Sequence, residues 1–141
     1  MSKQVTCRVL VTNGKKILIG HGTRTKWWTM PGGMAEEGES WLVAAARELQ
    51  EETGLHFSHS KFSLISKYDY LKEKDMVVFS VFVQAMPLVS QLKCTSMTPQ
   101  NFPELDKFTC ATIEEALALV NPSQKPILEK AWAEIQDMSD D

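Results

Sequence analysis

The chain has no long apolar run, no long basic run and no Cys-x-x-C pair. Nothing in it approaches the ~20 consecutive apolar residues of a membrane-spanning helix, and its first residues carry no hydrophobic signal core. A membrane partner is therefore not expected. Cysteine is scarce and odd in number, with Cys7, Cys94 and Cys110 far apart. That count and spacing suit a reducing cytoplasm better than a disulfide framework or a zinc site, and leave buried thiols as the expectation. His21, His56 and His59 have no metal-ligand spacing either, and read as loop or surface residues. The net charge of −3, without a basic stretch, argues against polymeric nucleic acid. A small anionic ligand remains compatible with it, because a metal can neutralise such a ligand locally. What is present is ordinary for a globular protein: 43% hydrophobic and 23% charged residues over a length of 141. That is enough for one domain, 1–141, with a real core. There is no internal repeat and no low-complexity segment.

Hydrophobic alternation predicts a strand over Gln4–Thr12, with Val5, Cys7, Val9 and Val11 on one face. Asn13-Gly14 reads as a two-residue hairpin turn, with Lys16–Gly20 as the returning strand. After a polar loop, Trp27–Met30 reads as a short strand ended by Pro31-Gly32-Gly33. Ser40 is an expected N-cap for a helix over Trp41–Thr53, which Gly54 closes. Leu42, Ala45, Ala46 and Leu49 form its apolar side. Lys61–Leu71 and Met76–Met86 read as strands joined by the charged turn Lys72–Asp75. Apolar residues on both faces of the second predict a central strand covered on both sides. The polar connection Pro87–Pro103 leads to a short strand, Lys107–Ala111. Thr112 and Glu115 predict a capping box for a helix through Leu119. Asn121-Pro122-Ser123 breaks it before a last helix, Gln124–Met138, and a short acidic tail. Helices on both sides of a mixed sheet imply an α/β/α sandwich.

The segment Gly33–Leu55 is the most informative part of the chain. Glu48, Glu51 and Glu52, at i, i+3 and i+4, share one face of the predicted helix. They sit in its last turn, where the helix dipole is already negative, and like charges at this spacing repel. A helix built for stability alone would carry Lys or Arg there. The arrangement makes physical sense if a cation occupies the site, and grouped carboxylates without cysteine suit a hard cation such as Mg²⁺ or Mn²⁺.

Read in register, Gly33, Glu39, Arg47-Glu48-Leu49, Glu51-Glu52 and Gly54-Leu55 fill all nine constrained positions of G-x5-E-x7-R-E-U-x-E-E-x-G-U, U being aliphatic. In this the chain resembles the Nudix hydrolases, with residues 33–55 as the Nudix box, and the family fold accounts for essentially its whole length. The resemblance implies an α/β/α sandwich with a mixed central sheet and the box as a loop–helix–loop. It also implies hydrolysis of a nucleoside diphosphate linked to another group. Carried over by position, Glu48, Glu51 and Glu52 are metal ligands, Glu39 a further, weaker one, and Arg47 an orienting guanidinium. Gly32 and Gly33 would admit close approach of substrate or metal to the backbone. Members often recruit a carboxylate beyond the box; here the candidates are Glu104, then Asp106, against the alternative of solvated loop acids. Trp27 and Trp28 would offer a stacking surface for a base, one turned to the core and the other exposed if they alternate. Tyr68, Tyr70 and Phe82 are cleft candidates for which core packing is favoured. Asn121, followed by Pro126-Ile127-Leu128, is similar to the Asn-x-Pro region of MutT-type members, shifted by two residues; it reads either as a purine contact or as a helix-breaking turn. The implied activity is that of a MutT-like nucleoside triphosphate pyrophosphohydrolase, yielding a nucleoside monophosphate and pyrophosphate. Hydrolysis of ADP-ribose, another nucleotide sugar or a dinucleoside polyphosphate is the alternative. A non-catalytic nucleotide-binding module, monomeric or homodimeric like the enzymes, would be expected to lose box carboxylates that this chain keeps.

Overall fold

The computed structural model describes residues 3–139. The acidic residues expected to follow the last helix, Asp140 and Asp141, lie outside them. In chain order the elements are β1 (Gln4–Thr12), β2 (Ile17–Gly22), β3 (Trp28–Thr29), β4 (Gly32–Met34), α1 (Trp41–Thr53), β5 (Phe62–Leu71), β6 (Lys74–Phe82), β7 (Leu105–Ala111), α2 (Ile113–Leu119) and α3 (Lys125–Ser139).

The sheet is organised by β1, which has two different edges. One edge pairs in parallel with β6 along its whole length, from Gln4↔Lys74 to Thr12↔Phe82. The other edge is divided. Thr6, Cys7 and Arg8 pair with β4, and Thr12 pairs with Ile17 of β2. From there β2 runs antiparallel to β7 from Ile17 to Gly22 and to β3 at Gly20 and His21. With β5 antiparallel to β6, the result is a mixed seven-stranded sheet.

Helices cover both faces, as the sequence predicts. Cys7, Val9 and Val11 of β1 pack with Val77 and Phe79 of β6 against Ala44, Ala45 and Leu49 of α1. Leu10, Met76 and Val78 pack on the other face against Ala116 of α2 and Ile127, Leu128 and Ala131 of α3. Burial of β6 on both faces is what its unbroken apolar run requires. Among the described residues, no helix is long and apolar enough to cross a membrane.

Several expectations change. Asn13-Gly14 is part of a four-residue connection, Asn13–Lys16, in which the Asn13 side chain accepts from the N–H groups of Lys15 and Lys16. A tight hairpin would hold β1 and β2 in register, but β1 gives that edge to β4 instead. Gly32–Met34 is thus a strand where a loop was expected. β6 begins at Lys74 and stops at Phe82, so Asp75 lies in the strand, buried and bonded by Lys3 at 3.1 Å. Phe82, at the strand's end, is 66% exposed and belongs to neither a cleft nor the core. On α1 it is Ala44, not Ala46, that is buried beside Ala45 and Leu49. β7 starts at Leu105, which puts Asp106 in a strand and leaves Glu104 as the residue that enters it.

Candidate active site

Helix α1 begins where Ser40 accepts the Val43 N–H and ends at Gly54, in the left-handed conformation with φ +84°. Only glycine takes that value readily. No basic residue stands in the last turn. The three glutamates of that turn are graded by depth. Glu52 is buried at 4% exposure, the Glu48 side chain is 13% exposed and that of Glu51 is 43% exposed. The gradient follows from the helix period: Glu52 is three residues after Leu49, inside the apolar stripe, while Glu51 sits on its far flank.

A buried carboxylate needs partners. Oε1 of Glu52 accepts the Gly32 N–H at 2.8 Å. Gly32 has φ +145°, and a Cβ there would stand 2.1 Å from the Cys7 carbonyl oxygen. Its close approach is thus to β1, and it serves the site through its N–H. Gly33 has a different role. A Cβ on it would lie 2.4 Å from Oε2 of Glu48, so its bareness makes room for that carboxylate.

Arg47 holds the rest of the cluster. Nε and Nη2 form a fork onto Glu39 at 2.7 and 2.9 Å, and Nη1 donates to Glu48 at 2.9 Å and, more loosely, to Glu51 at 3.3 Å. Nη2 also donates to the Met34 carbonyl at 3.2 Å, tying α1 to β4. Bidentate, charge-assisted contacts fix orientation as well as charge. They draw the Glu39 carboxyl down to about 2, Arg47 being the main cause.

The connection from β6 to β7 completes the site. The last carbonyls of a helix lack partners within it; here the loop supplies them. Lys93 N–H donates to Thr53 O at 3.0 Å, and Thr95 N–H donates to Glu51 O at 2.7 Å. Ser96 O then accepts the Glu104 N–H at 2.9 Å, and Glu104 O accepts the Thr23 N–H at 3.1 Å. Held at both backbone groups, Glu104 brings its carboxylate against Glu52 and within electrostatic range of Glu48. Asp106 is committed elsewhere, with Oδ1 2.6 Å from Nδ1 of His21.

Glu52 accordingly holds its proton unusually well. Burial is the main cause, Glu104 adds to it, Arg8 and the Gly32 N–H oppose it, and the result is a carboxyl pushed up to about 8. Glu48 moves up too, chiefly through burial, with Arg47 opposing and Glu51 and Glu104 adding. Among the described residues, no three carboxylate, imidazole or thiol groups already stand as a finished cage for an ion. The donor chemistry nevertheless fits a hard cation. Glu48, Glu52 and Glu104 offer oxygen only, and the burial that raises Glu48 and Glu52 is a cost that a bound cation would offset.

The residues named for base recognition gather at another edge. Trp28 packs on the α2/α3 core, edge-on to His21 at 5.3 Å. Trp27 lies under Lys26, 4.7 Å from its Nζ. Both are half-buried, so the expected split into one core and one exposed indole does not occur. Asn121 joins this edge by donating its N–H to Trp28 O at 3.1 Å, while its Oδ1 accepts from the N–H and hydroxyl of Ser123. Tyr68 and Tyr70 pack on the core, and donate to or share hydrogens with Glu134 and Ser123 respectively. Arg8 was not anticipated, although a lone charge inside Val5–Val11 was a visible signal. Gln124 gave none.

Comparison with known proteins identifies the family and the fold. The NUDIX domain family model matches residues 2–131. Over 76 residues, 54% of this chain and 47% of the relative, the sequence is 34% identical to the uncharacterized Nudix hydrolase YvcI of Bacillus subtilis (strain 168). Over 60 residues, 39% of this chain and 20% of the relative, it is 45% identical to the m7GpppN-mRNA hydrolase NUDT17 of Xenopus laevis. The matched stretches thus span less than half of either curated relative. The fold is that of the MutT protein from Bacillus halodurans, at a TM-score of 0.64 and 21% identity over 89% of this chain and 80% of that one.

Proposed function

This chain belongs to the Nudix family, and from that premise we propose that it is a Mg²⁺- or Mn²⁺-dependent hydrolase of phosphoric anhydride bonds in small nucleotides. The most specific form of the proposal is a MutT-like pyrophosphohydrolase that converts a nucleoside triphosphate to the monophosphate and pyrophosphate. The observation that carries it is the buried Glu52 carboxyl, pressed against a second acid, Glu104, and pushed up to about 8. A protein gains nothing in stability from such a pair; a cation gives it a purpose.

Glu48 and Glu52, with Glu104, would hold the metal, Glu51 would reach it from the solvent side, and Glu39 would contribute through water. When bound, the cation would neutralise phosphate oxygens and lower the pKa of a coordinated water. The chain's own residues do the rest. Gly32 N–H and the Arg47 fork fix the carboxylates in place before substrate arrives, so that little reorganisation remains for the reaction itself. Glu104, delivered by the docked loop, is the proton acceptor for the attacking water. The edge formed by Trp27, Trp28 and Asn121 takes the base. The Ser123 turn fixes Oδ1 of Asn121 and leaves its amide N–H₂ as the group that would meet a purine.

Substrates with a second nucleotide or a sugar beyond the diphosphate form the competing class; the Xenopus relative is by name a hydrolase of capped mRNA. One experiment separates these readings. Nucleoside triphosphates, dinucleoside polyphosphates, ADP-ribose and cap analogues are incubated with the protein and Mg²⁺, and products are separated by chromatography. Pyrophosphate and monophosphate from a triphosphate support the MutT-like reading. Absence of any product across the panel would make the chain a binding module.

A further inference from the structure

Arg8 stands among the buried apolar residues of β1, and its three hydrogen bonds all go to neutral oxygens. Nε donates to Thr6 Oγ1 at 3.0 Å, and Nη1 donates to the Met30 carbonyl at 2.9 Å and to Thr29 Oγ1 at 3.3 Å. Gln124, 4% exposed at the start of α3, reaches the same two residues from the other direction. Its Oε1 accepts the Met30 N–H at 3.3 Å and its Nε2 donates to Thr29 Oγ1 at 2.7 Å. Both backbone polar groups of Met30 are thus held by side chains from distant parts of the chain, and both side chains share one hydroxyl.

Two residues further on lies Gly32, directly opposite Arg8 in the β1–β4 register. β3 is only Trp28–Thr29, and Pro31 has no N–H to give. Its carbonyl accepts the Val9 N–H at 2.9 Å. The direction of the Gly32 N–H, and with it the seat of Glu52, therefore depends on how the Thr29–Met30 peptides are set.

We infer that Arg8 and Gln124 form a clamp on Thr29 and Met30 that aims the Gly32 N–H at Glu52, making both of them positioning residues for the carboxylate site. The inference rests on the proposed role of Glu52 as a metal ligand. The plainer alternative is that Arg8 only satisfies buried polar groups. That role would lower global stability and nothing else.

Arg8→Met and Arg8→Lys separate the two, with Mn²⁺ affinity measured by electron paramagnetic resonance of the free ion and amide exchange followed by NMR without metal. In Arg8→Met, Mn²⁺ binding should weaken roughly 10- to 100-fold, as for loss of other groups that orient metal ligands. The Gly32 amide should lose protection while Val77, in the β1–β6 ladder, keeps its own. Arg8→Lys should behave like Arg8→Met, because an ammonium cannot span Thr6, Thr29 and Met30 as the planar fork does. Unchanged Mn²⁺ affinity overturns the inference, as does protection lost evenly across the sheet. Weakened binding with Gly32 still protected also overturns it, since charge and not geometry would then be acting. Should Arg8→Met not fold, Thr29→Val removes only the shared hydroxyl, and the same two measurements decide. If wild type binds no Mn²⁺, or Glu52→Gln binds it as well as wild type, the functional proposal fails; Gly32 exchange still decides the clamp.

Discussion

Replacing Glu52 by Gln should stabilise the metal-free protein, and by an amount that grows with pH. The carboxyl is raised from 4.5 to about 8 in the folded state, with burial the main cause. Between those values the folded state binds a proton that the unfolded chain has released, so stability falls as pH rises through the window. At ~1.36 kcal/mol per pH unit the full span corresponds to about 5 kcal/mol, and relaxation around the buried carboxylate brings the expected effect to roughly 2–5 kcal/mol. Gln reproduces the protonated acid: its oxygen accepts the Gly32 N–H and its amide donates to Glu104. Urea unfolding of wild type and Glu52→Gln from pH 5 to 9, with a chelator present, measures the difference directly. The two proteins should be nearly equal at pH 5 and diverge above it, with the variant the more stable. Saturating Mg²⁺ should close the gap by stabilising wild type alone, through linkage to the native state. Parallel pH curves for the two proteins in chelator would refute the reasoning, because a carboxylate paying no burial cost cannot be the group described here.

Glu48→Gln, Glu52→Gln and Glu104→Gln should each lower turnover by roughly 10²–10³-fold, the scale for loss of a preorganised electrostatic contact; wild-type rates with Mg²⁺ in any of them would remove that residue from the site. Gly33→Ala should displace the Glu48 carboxylate, whose Oε2 would lie 2.4 Å from the new methyl, and so bind Mn²⁺ more weakly by calorimetry while costing less stability than a clash with backbone. Gly32→Ala should instead cost roughly 3 kcal/mol or more in urea unfolding, because its Cβ meets backbone and its φ is positive. Asn121→Ala should reduce kcat/KM for dGTP and dATP by the equivalent of roughly 1–3 kcal/mol while sparing dCTP; a uniform ratio over the three would leave Asn121 as a turn residue only.

What could be read from sequence was what is local. The helix period alone brings Glu48, Glu51 and Glu52 to one turn, and Arg47, four residues before Glu51, is bound to reach it. The depth gradient among them was legible only in outline, since burial depends on how α1 is rolled on the sheet, and that is set by Ala44 as much as by Leu49. Glu104 could be ranked ahead of Asp106 but not told from a solvated loop acid; what decides is a β-strand beginning two residues earlier than its hydrophobic pattern shows. The clamp could not be read at all. Arg8, Thr29 and Gln124 meet only because β1 changes partner midway, and no nearest-neighbour signal announces that.

The docking of the β6–β7 connection on the end of α1 also orders events in time. The helix and the strands it packs on, β1, β4 and β6, all end by Phe82, but the carbonyl of Glu51 waits for Thr95, 44 residues later in the chain. Closing so long a loop is entropically slower than winding a helix. A nascent chain that has emerged only through β6 would therefore display the box helix with its acids gathered, its final carbonyls open to water, and Glu104 still missing. On the proposed ligand set, competence for chemistry arrives with the loop, after the helix that carries most of that set.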